Sequence, residues 1–405
     1  MKEGWTYKKL GEVCDTINGL WKGKKPPYIN VGVIRNANFT KEFTIRYDNI
    51  EYLDVEEKQY AKRKLQKGDL IIEKSGGGEK QPVGRVVLFD KDEGEFSFSN
   101  FTSVLRIKDN KELISEFLYI YLLYIYKRGD TLKMQKATTG IHNIEFDKYL
   151  AIDIPCLPLS EQQRIVARLD AAFAHIDELK ANAEKQLSEA RTLFQKALTK
   201  AMEPKEGWEE KTLKDLTTKI GSGATPRGGS KVYISEGVSF VRSLNVHYDE
   251  FKYKDLAHIN GEAAKQLNGV ELKKDDVLFN ITGASIARCC VMPEDVLPAR
   301  VNQHVSILRP RKDLVLPRFL CLGLISSEHQ RVLLEIGVAG STRQAVTKSD
   351  LEQHLFPIPP LSEQQRIVER LDSLSENVKA LEENQQKVIA ECDALKQALL
   401  RKVFE

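Results

Sequence analysis

The stretch Leu159-Ser-Glu-Gln-Gln-Arg-Ile-Val-Ala-Arg-Leu-Asp170 decides the fold, because it returns as Leu361-Ser-Glu-Gln-Gln-Arg-Ile-Val-Glu-Arg-Leu-Asp372 with one of its twelve positions changed. The two copies are 202 positions apart in a chain of 405 residues. The phrase Lys2-Glu-Gly-Trp5 likewise returns as Lys205-Glu-Gly-Trp208. Self-similarity with one long period indicates a duplicated structural unit. We therefore predict two similar halves in tandem, which suits a target that is itself made of two parts.

Each copy of the stretch follows a proline-rich segment, Ile154-Pro-Cys-Leu-Pro158 or Phe356-Pro-Ile-Pro-Pro360. Proline holds such a segment extended and favours the start of a helix just beyond it. A serine then stands one residue into each copy, with a glutamine three residues further on, which is the spacing of a capping box. The predicted N-caps are Ser160 and Ser362, and their capping-box partners are Gln163 and Gln365.

Apolar residues then recur in alternating steps of four and three, the heptad pattern of a coiled coil. In the first half the predicted seam is Ile165, Leu169, Ala172, Ile176, Leu179, Ala183, Gln186, Ala190, Leu193 and Ala197. In the second half it is Ile367, Leu371, Leu374, Val378, Leu381, Gln385, Val388, Cys392, Leu395 and Leu399. Because the first helix must lead to the second half and the second helix leaves by the same geometry, we predict an antiparallel pair. About 36 helical residues at about 1.5 Å each would give a rod of about 54 Å.

The rest of each half has a mixed pattern. Short β-rich runs between Gly, Asn and Asp turn signals predict a twisted, mostly antiparallel sheet. These runs are Leu70–Ile72, Val83–Phe89, Val104–Ile107, Val238–Val241, Val277–Ile281 and His304–Leu308, and helices are predicted at Glu112–Lys127 and Arg318–Ile336. The fold class is therefore α+β: two tandem α/β domains joined by two long helices that form an antiparallel coiled coil, with pseudo-two-fold symmetry. We place the domains at 1–158 and 204–360 and the long helices at 159–203 and 361–405.

The composition is ordinary for a globular protein, with 41% hydrophobic and 29% charged residues. The net charge of +3 is too small for a general nucleic-acid coat, so an anionic partner would have to meet local basic patches. The six cysteines form no CxxC pair and no histidine cluster has metal spacing, so we predict no metal site. The longest apolar run, Phe117 to Tyr126, is too short for a bilayer, and the amino terminus lacks an apolar signal segment. We therefore predict a cytoplasmic protein without a membrane partner.

Two motifs of nucleotide chemistry are missing from the sequence. Neither a G-x-x-x-x-G-K-[ST] phosphate loop nor a Rossmann glycine fingerprint occurs. We therefore predict that this chain does not hydrolyse nucleotides. Gly76-Gly-Gly78 and Gly221-Ser-Gly223 offer backbone that could cradle a phosphate, but their turn-rich surroundings favour plain hairpin loops.

Loop residues that can hydrogen-bond phosphates and base edges are candidates for DNA contact. For any one of them, a solvated surface side chain without a binding role is the simpler interpretation. In the first half they are Lys22, Lys24, Lys25, Arg35, Asn36, Lys74, Ser75, Lys80, Thr138, Thr139, His142 and Asn143. In the second half they are Thr225, Arg227, Ser230, Lys231, Arg242, Asn245, Asn280, Thr282, Ser341, Thr342, Arg343 and Gln344. Arg343 and Gln344 are the strongest candidates, because these side chains suit guanine and adenine respectively.

The chain resembles the specificity subunits of type I restriction-modification systems. The family motif P-x-P-P-L-x-E-Q-x-x-I closes a domain, and it stands here as Pro357-Ile-Pro-Pro-Leu-Ser-Glu-Gln-Gln-Arg-Ile367 and as Pro155-Cys-Leu-Pro-Leu-Ser-Glu-Gln-Gln-Arg-Ile165. A second signature, a Thr-Pro turn followed by a G-V-x-F-V-R strand, stands as Gly221-Ser-Gly-Ala-Thr-Pro226 and Gly237-Val-Ser-Phe-Val-Arg242. The first half departs from it, with Ile17-Asn-Gly-Leu-Trp21 in place of the Thr-Pro turn.

This resemblance implies that each globular domain is a target recognition domain that reads one half of a bipartite double-stranded DNA sequence. It implies that the long helices set the unread spacer and dock two methyltransferase (M) subunits. It further implies that this chain is non-catalytic and holds no cofactor: S-adenosylmethionine belongs to the methyltransferase subunits, and ATP and Mg belong to the restriction (R) subunits.

Two other interpretations stay open at this point. The first is a self-sufficient methyltransferase or nuclease, against which the missing cofactor motifs argue. The second is a non-catalytic coiled-coil scaffold that binds only proteins. A scaffold would show no preference among DNA sequences when mixed with its methyltransferase partner, whereas a specificity subunit would.

Overall fold

A computed structural model describes residues 4–20, 23–78, 81–138, 141–339 and 345–405. The chain divides into two compact units, one made of Met1–Ala183 with Lys387–Glu405 and the other of Glu184–Gln386. Each unit thus combines a globular part with portions of two long helices. Within the part of the chain that the structure describes, no helix has both the length and the apolar character needed to cross a bilayer.

The globular part of the first unit contains short strands and helices. Its strands are β1 (Thr6–Lys9), β2 (Cys14–Asn18), β3 (Tyr28–Ile34), β4 (Glu51–Glu56), β5 (Leu70–Glu73), β6 (Ser75–Gly77), β7 (Val86–Leu88), β8 (Phe96–Phe98), β9 (Thr102–Ile107), β10 (Gln135–Thr138), β11 (Ile141–Ile144) and β12 (Asp153–Cys156). Its helices are α1 (Leu10–Val13), α2 (Glu57–Ala61), α3 (Ser115–Lys127) and α4 (Phe146–Leu150), and the long helix α5 (Leu159–Met202) follows.

The globular part of the second unit has a similar order of elements, without a counterpart of the sheet β10-β11-β6 among its described residues. Its strands are β13 (Glu209–Thr212), β14 (Thr217–Ser222), β15 (Tyr233–Ile234), β16 (Val238–Val241), β17 (Val246–His247), β18 (Glu250–Phe251), β19 (Ala257–Ile259), β20 (Val277–Asn280), β21 (Cys289–Val291), β22 (Ala299–Val301), β23 (Val305–Pro310) and β24 (Leu355–Ile358). Its helices are α6 (Leu213–Leu216), α7 (Gly261–Gln266), α8 (Pro317–Leu324), α9 (Ser327–Ala339) and α10 (Lys348–Gln353), before the long helix α11 (Leu361–Phe404).

The two units share one sheet topology. The antiparallel sheet β2-β9-β5-β7 of the first unit corresponds to β14-β23-β20-β21 of the second. Both units also contain a parallel strand pair, β3 with β8 and β16 with β22, and both pair the first strand with the last, β1 with β12 and β13 with β24. The predicted α+β class with mostly antiparallel sheets is confirmed.

One helix prediction is wrong. The sequence predicts a single helix over Arg318–Ile336, but the structure has two helices, α8 and α9, separated at Ile325 and Ser326. Both residues at the break are buried, so tertiary packing overrides the local helical pattern here. In the first unit the corresponding helix α3 is continuous, and it starts at Ser115 rather than Glu112.

Each central sheet holds a buried ion pair at the same place. Asp69 is 1% exposed and receives two hydrogen bonds from Arg106, of 2.8 and 2.7 Å. Asp276 is 0% exposed and receives bonds of 2.7 and 2.8 Å from Arg309. The bonds to the aspartates raise the pKa of both guanidinium groups above the ordinary value, against the opposing effect of burial. The duplication has therefore preserved a charged pair as well as an apolar core.

The carboxyl-terminal end of α11 belongs to the core of the first unit. Phe404 is 5% exposed and meets the ring of Trp5 edge-on, at a centroid distance of 6.3 Å. The same ring contacts Phe117, Tyr121 and Tyr124 of α3. In the second unit, Trp208 packs edge-on against Phe319. Both tryptophans thus join the start of the first strand to the core of the unit.

Each long helix begins two residues earlier than its predicted N-cap implies, at Leu159 and Leu361. The carbonyl of Pro158 accepts bonds from the N–H groups of Glu161 and Gln162, at 2.9 and 3.1 Å, and Pro360 makes the equivalent pair. The prolines are therefore the N-caps, and the serines lie inside the first helical turn. Gln163 is exposed and Gln365 donates to Glu369 within the helix, so no capping box forms. The predicted capping roles are wrong for Ser160, Gln163, Ser362 and Gln365.

The first glutamine of each repeated phrase anchors the helix start instead. Gln162 is 0% exposed; its side chain accepts from the N–H of Ile114 at 3.0 Å and donates to the carbonyls of Glu112 and Leu157 at 2.7 and 2.8 Å. Gln364, also 0% exposed, forms the same three bonds with Leu316, Leu314 and Pro359, at 2.8, 2.9 and 2.9 Å. Each glutamine therefore ties the proline-rich segment and the long helix to the segment that leads into α3 or α8.

The seam between α5 and α11 departs from the predicted heptads at three leucines. Leu179, Leu193 and Leu395 are 57%, 58% and 48% exposed, so they lie outside it. In their places the next residue along each helix, Lys180, Phe194 or Lys396, is partly buried. Ala183, Ala190 and Cys392 stay buried at 3%, 7% and 6%. One of the two alternating sets of predicted positions therefore keeps the seam, while the other turns outward as a straight helix drifts by about 20° per heptad relative to a 3.5-residue repeat.

The paired segments of the long helices are antiparallel within each unit. In the first unit, Lys180 bonds Asp393 at 2.9 Å and Asp177 bonds Lys396 at 2.5 Å. In the second unit, Arg191 bonds Glu382 at 2.6 Å. Positions on α11 thus fall as positions on α5 rise, and the predicted antiparallel coiled coil is confirmed.

The two units carry opposite charges at equivalent places of this helix pair. With the repeat offset of 202 residues, Lys180 corresponds to Glu382 and Arg191 corresponds to Asp393. Helix α5 is therefore complementary to α11, whereas a second copy of α5 would set Lys180 against Arg191. Exposed ion pairs contribute only about 0.2–1 kcal/mol each, so this pattern affects the choice of helix partner more than stability.

A buried histidine pair lies in the second unit. Nδ1 of His329 and Nε2 of His354 are 2.8 Å apart, and the His329 ring stacks on Phe356 with a centroid distance of 5.0 Å. The pKa of both rings is lowered to about 4, mainly by burial and, for His354, also by the neighbouring His329. Both histidines are therefore neutral in the folded protein at neutral pH.

We expect the second unit to lose stability as the pH falls from 6.5 towards 4. Unfolded histidines, with a pKa near 6.5, take up protons in this range that the folded pair excludes, so the stabilisation present above pH 6.5 is lost on acidification. Between pH 7.5 and 5.5 the expected loss for the pair is about 2 kcal/mol in urea unfolding followed by Trp208 fluorescence. A variant with both histidines changed to leucine should show a smaller loss. An unfolding midpoint that is the same at both pH values would contradict the prediction.

Candidate nucleic-acid interface

Each unit has one turn that brings its candidate residues together. In the first unit the N–H of Thr102 donates to the carbonyl of Ser99 at 3.0 Å, which leaves Asn100 and Phe101 at the tip. In the second unit the N–H of Val305 donates to Asn302 at 3.2 Å, which leaves Gln303 and His304 at the tip. The strand register makes these turns equivalent, since Ile71 pairs with Val104 and Leu278 pairs with Ile307. We call these turns the tip turns.

A glycine permits each tip turn to close against the sheet. A Cβ atom added to Gly19 would lie 1.8 Å from the carbonyl oxygen of Ser99, and one added to Gly223 would lie 2.0 Å from that of Val301. No side chain fits at such distances. Within the Gly-rich stretch at 221–223, Gly223 is therefore explained by a close backbone approach.

The neighbouring segment of each unit is held against the tip turn by equivalent backbone bonds. The carbonyl of Phe101 accepts from the N–H of Lys74 at 3.0 Å, and that of His304 accepts from Ile281 at 3.0 Å. On the other side, Ile144 donates to Lys74 at 2.8 Å and Val346 donates to Ile281 at 2.9 Å. Three loops thus converge in the same way in both units, and we call each convergence a reading corner.

The reading corner of the first unit contains several of the predicted residues. The amide of Asn36 donates to the carbonyl of Ser75 at 2.6 Å, and the Ser75 hydroxyl donates to Asn143 Oδ1 at 2.6 Å. Nζ of Lys74 donates to Asn18 Oδ1 at 3.2 Å, and burial lowers the pKa of this amine. His142 follows on β11, and its Nδ1 is buried without a hydrogen-bond partner among the described residues. The structure thus brings these predicted residues together at one corner, and their contact with DNA stays a prediction. Phe101, whose carbonyl accepts from the N–H groups of Lys74 and Ser75, was not among the predicted residues.

The reading corner of the second unit contains a chain of polar side chains. The hydroxyl of Thr225 donates to Gln303 Oε1, Nε2 of Gln303 lies 3.1 Å from Nε2 of His304, and Nδ1 of His304 lies 2.8 Å from the hydroxyl of Thr282. Because the glutamine nitrogen is a donor, His304 accepts at Nε2 and carries its proton on Nδ1. These hydrogen bonds hold the exposed Gln303 amide in place, and an amide group is suited to bind adenine.

Gln303 and His304 were absent from the predicted site. The segment from Asn302 to Arg309 resembles the one from Asn100 to Arg106, but it departs from it most at these two positions. The two segments are otherwise similar, so the difference at these two positions is the sequence feature that would have identified Gln303 and His304 as candidates.

Arg35 and Arg242 occupy equivalent positions at the ends of β3 and β16. Each precedes a 3₁₀ turn closed by an asparagine that accepts from the arginine N–H, Asn38 at 2.8 Å and Asn245 at 3.0 Å. Arg35 is ion-paired with Glu51, and Arg242 donates to the carbonyl of Asp255. In both arginines Nε is buried without a partner among the described residues.

Two predicted DNA contacts prove to be structural residues. Asn245 is 0% exposed, and its amide donates to the carbonyl of Lys252 at 2.8 Å. Asn280 is also 0% exposed, and its amide donates to the carbonyl of Ser243 at 2.9 Å. Neither side chain can meet DNA while it holds its own backbone. We correct both assignments.

The other candidates fall into two groups. Lys24, Lys25, Thr225, Arg227 and Lys231 are exposed on loops. Lys24 and Lys25 precede β3, whereas Arg35 follows it, so about seven residues at about 3.3 Å each separate them from the reading corner. The predicted Lys22, Lys80, Thr139, Ser341, Thr342, Arg343 and Gln344, and the side chains of Thr138 and Ser230, lie outside the described residues.

The model of one protein family matches this chain twice. It is described as the type I restriction modification DNA specificity domain, and it matches residues 2–189 and 205–391. The chain belongs to this family. Its members are the non-catalytic specificity subunits of type I restriction-modification systems and serve in DNA sequence recognition, so the predicted resemblance is confirmed. Among the described residues, no cluster of His, Cys, Asp or Glu is placed to hold a metal ion.

Individual relatives agree with this assignment. The chain is 23% identical to the EcoKI specificity subunit of Escherichia coli strain K12, over 100% of this chain and 89% of that protein. It is 25% identical to the EcoBI specificity subunit of Escherichia coli, over 62% of this chain and only 57% of that protein.

Solved structures show the same fold. A chain from a structural study of complex assembly and conformational transition of the type I R-M system superposes with a TM-score of 0.79 at 22% identity, covering 100% of this chain and 98% of that one. The HsdS subunit from Thermoanaerobacter tengcongensis superposes with a TM-score of 0.56 at 22% identity, covering 100% and 97%.

Proposed function

We propose that each unit of this specificity subunit reads one half of a bipartite double-stranded DNA target. The observation that carries the proposal is the pair of reading corners, which share backbone bonds and differ in side chains. Lys74, Ser75 and Phe101 stand in the first unit where Ile281, Thr282 and His304 stand in the second. The shared backbone bonds suit two domains that dock on DNA in the same orientation, and the different side chains suit domains that read different bases.

The division of labour along the chain follows from this proposal. Residues 1–158 and 204–360 are the target recognition domains, and residues 159–203 and 361–405 set the spacer between the half-sites. The two long helices have 44 residues each, as a duplicated spacer element requires. Two methyltransferase subunits dock on them and supply S-adenosylmethionine, and restriction subunits supply the chemistry that needs ATP and Mg. The complex works in the cytoplasm.

Methylation mapping tests the proposal. The chain is co-expressed with its methyltransferase subunit in a host that lacks other DNA methylation, and modified bases are mapped across the genome. We expect one motif made of two short defined parts separated by a fixed number of unread positions. Methylation without any sequence preference would favour the coiled-coil scaffold, and methylation by the chain without its partner subunit would favour a self-sufficient enzyme.

A further inference from the structure

The tip turn presents an apolar ring in one unit and a polar ring in the other. Phe101 is 46% exposed, although it lies among Lys74, Ser75 and other polar residues of the reading corner. A single exposed apolar residue is ordinary on a protein surface. This one differs because its equivalent, His304, is built into the polar chain that holds Gln303.

Hydrogen bonds fix the backbone that carries the Phe101 ring. The Phe101 carbonyl accepts bonds from the N–H groups of both Lys74 and Ser75, at 3.0 and 3.2 Å. The hydroxyl of Thr102 closes the turn on the carbonyl of Ser99 at 2.8 Å. The backbone at Phe101 is therefore already ordered before a ligand binds, so a contact by the ring adds only the ordering cost of its own side chain.

The chemistry of the ring limits what it can recognise. A phenyl group offers no hydrogen-bond donor or acceptor, so it cannot read the polar edge of a base. In the major groove the one apolar feature that distinguishes a base pair is the C5 methyl group of thymine, and phenylalanine is among the residues that contact it. The neighbouring Asn36, Ser75 and Asn143 side chains supply polar groups for the adjoining base edges.

We propose that Phe101 is a specificity-determining residue that packs against the methyl group of a thymine in the half-site of the first unit. The second unit, with His304 at this place, makes no such contact and relies on hydrogen bonds. This inference rests on the proposed function, in which each unit reads its own half-site.

Replacement of thymine by deoxyuridine tests the contact, because it removes only the methyl group. The chain, assembled with its methyltransferase subunit, is titrated with duplexes of the mapped target in which each thymine of the first half-site is replaced in turn. We expect the wild-type complex to lose about fourfold in affinity at one position, the worth of one methyl-sized group removed from water. Phe101→Ala should bind the thymine and deoxyuridine duplexes equally at that position, Phe101→Leu should keep part of the difference, and His304→Ala should keep all of it.

Three results would overturn the inference. They are a first half-site that contains no A·T pair, a wild-type complex that is insensitive to every deoxyuridine, and a Phe101→Ala complex with undiminished sensitivity. Each of these leaves the proposed function standing if the target is still split. By contrast, a Phe101→Ala complex that loses selectivity in both half-sites equally would contradict the proposed function itself.

Discussion

A Gln364→Leu variant is expected to lose about 3 kcal/mol of stability in the second unit, because leucine removes three hydrogen bonds and supplies no substitute. The N–H of Leu316 and the carbonyls of Leu314 and Pro359 would each lose a partner in a place where the glutamine side chain is 0% exposed. An unsatisfied buried polar group costs about 1–3 kcal/mol, and leucine restores only the apolar contacts.

The next residue in the chain provides the matched control. Gln365 is exposed and bonds only along its own helix, so Gln365→Leu should change stability by less than about 0.5 kcal/mol. Hydrogen exchange followed by mass spectrometry localises the effect: Gln364→Leu should speed exchange in α8 and at the start of α11, and Gln162→Leu should do the same in α3 and α5. Equal exchange in Gln364→Leu and wild type would show that the glutamine does not anchor the helix.

An Asp276→Ala variant is expected to lose about 3–5 kcal/mol of stability, because it leaves the Arg309 charge without its partner in the sheet. Asp276 also accepts from the N–H of Lys273 at 2.7 Å, so the turn before β20 loses its closing bond. Urea unfolding of the second unit, followed by Trp208 fluorescence, measures the loss.

Removing both charges separates this mechanism from simple loss of packing. Asp276→Leu combined with Arg309→Met replaces the pair by apolar groups of similar size, and such replacements are often neutral. The double variant should therefore be more stable than Asp276→Ala by at least about 2 kcal/mol. If the double variant is instead less stable than Asp276→Ala, the ion pair itself stabilises the fold, and the loss in Asp276→Ala does not come mainly from leaving Arg309 without a partner.

The architecture was predictable because duplication leaves a direct record in the sequence. The two copies of the repeated phrase located both long helices, the heptads indicated that the helices pair, and the path of the chain between the halves gave their antiparallel direction. The role of the phrase itself was not predictable, because Gln162 and Gln364 bond to backbone that lies about 50 residues earlier in the chain. Local spacing favoured the serines, whereas the tertiary contact selected the glutamines.

The candidate site was predictable only by residue type. Asn245 and Asn280 have the groups that read adenine, but both are used to hold backbone, and sequence spacing does not reveal burial. Phe101 and Gln303 were missed for a related reason, since their place at the tip turns depends on glycines that let distant segments approach closely. In both units the register of the sheet, which only the structure shows, decides which residues of the reading corner stand together.

The central claim is that each unit reads its own half of the target, and parallel methylation mapping of two variants tests it most directly. Asn143→Ala changes the reading corner of the first unit, and Gln303→Ala changes that of the second. We expect each variant to relax or shift one defined part of the motif, a different part in each case, and to leave the other part and the spacer length unchanged. If either variant alters both parts together, or if both variants alter the same part, the account of two independent reading units is wrong.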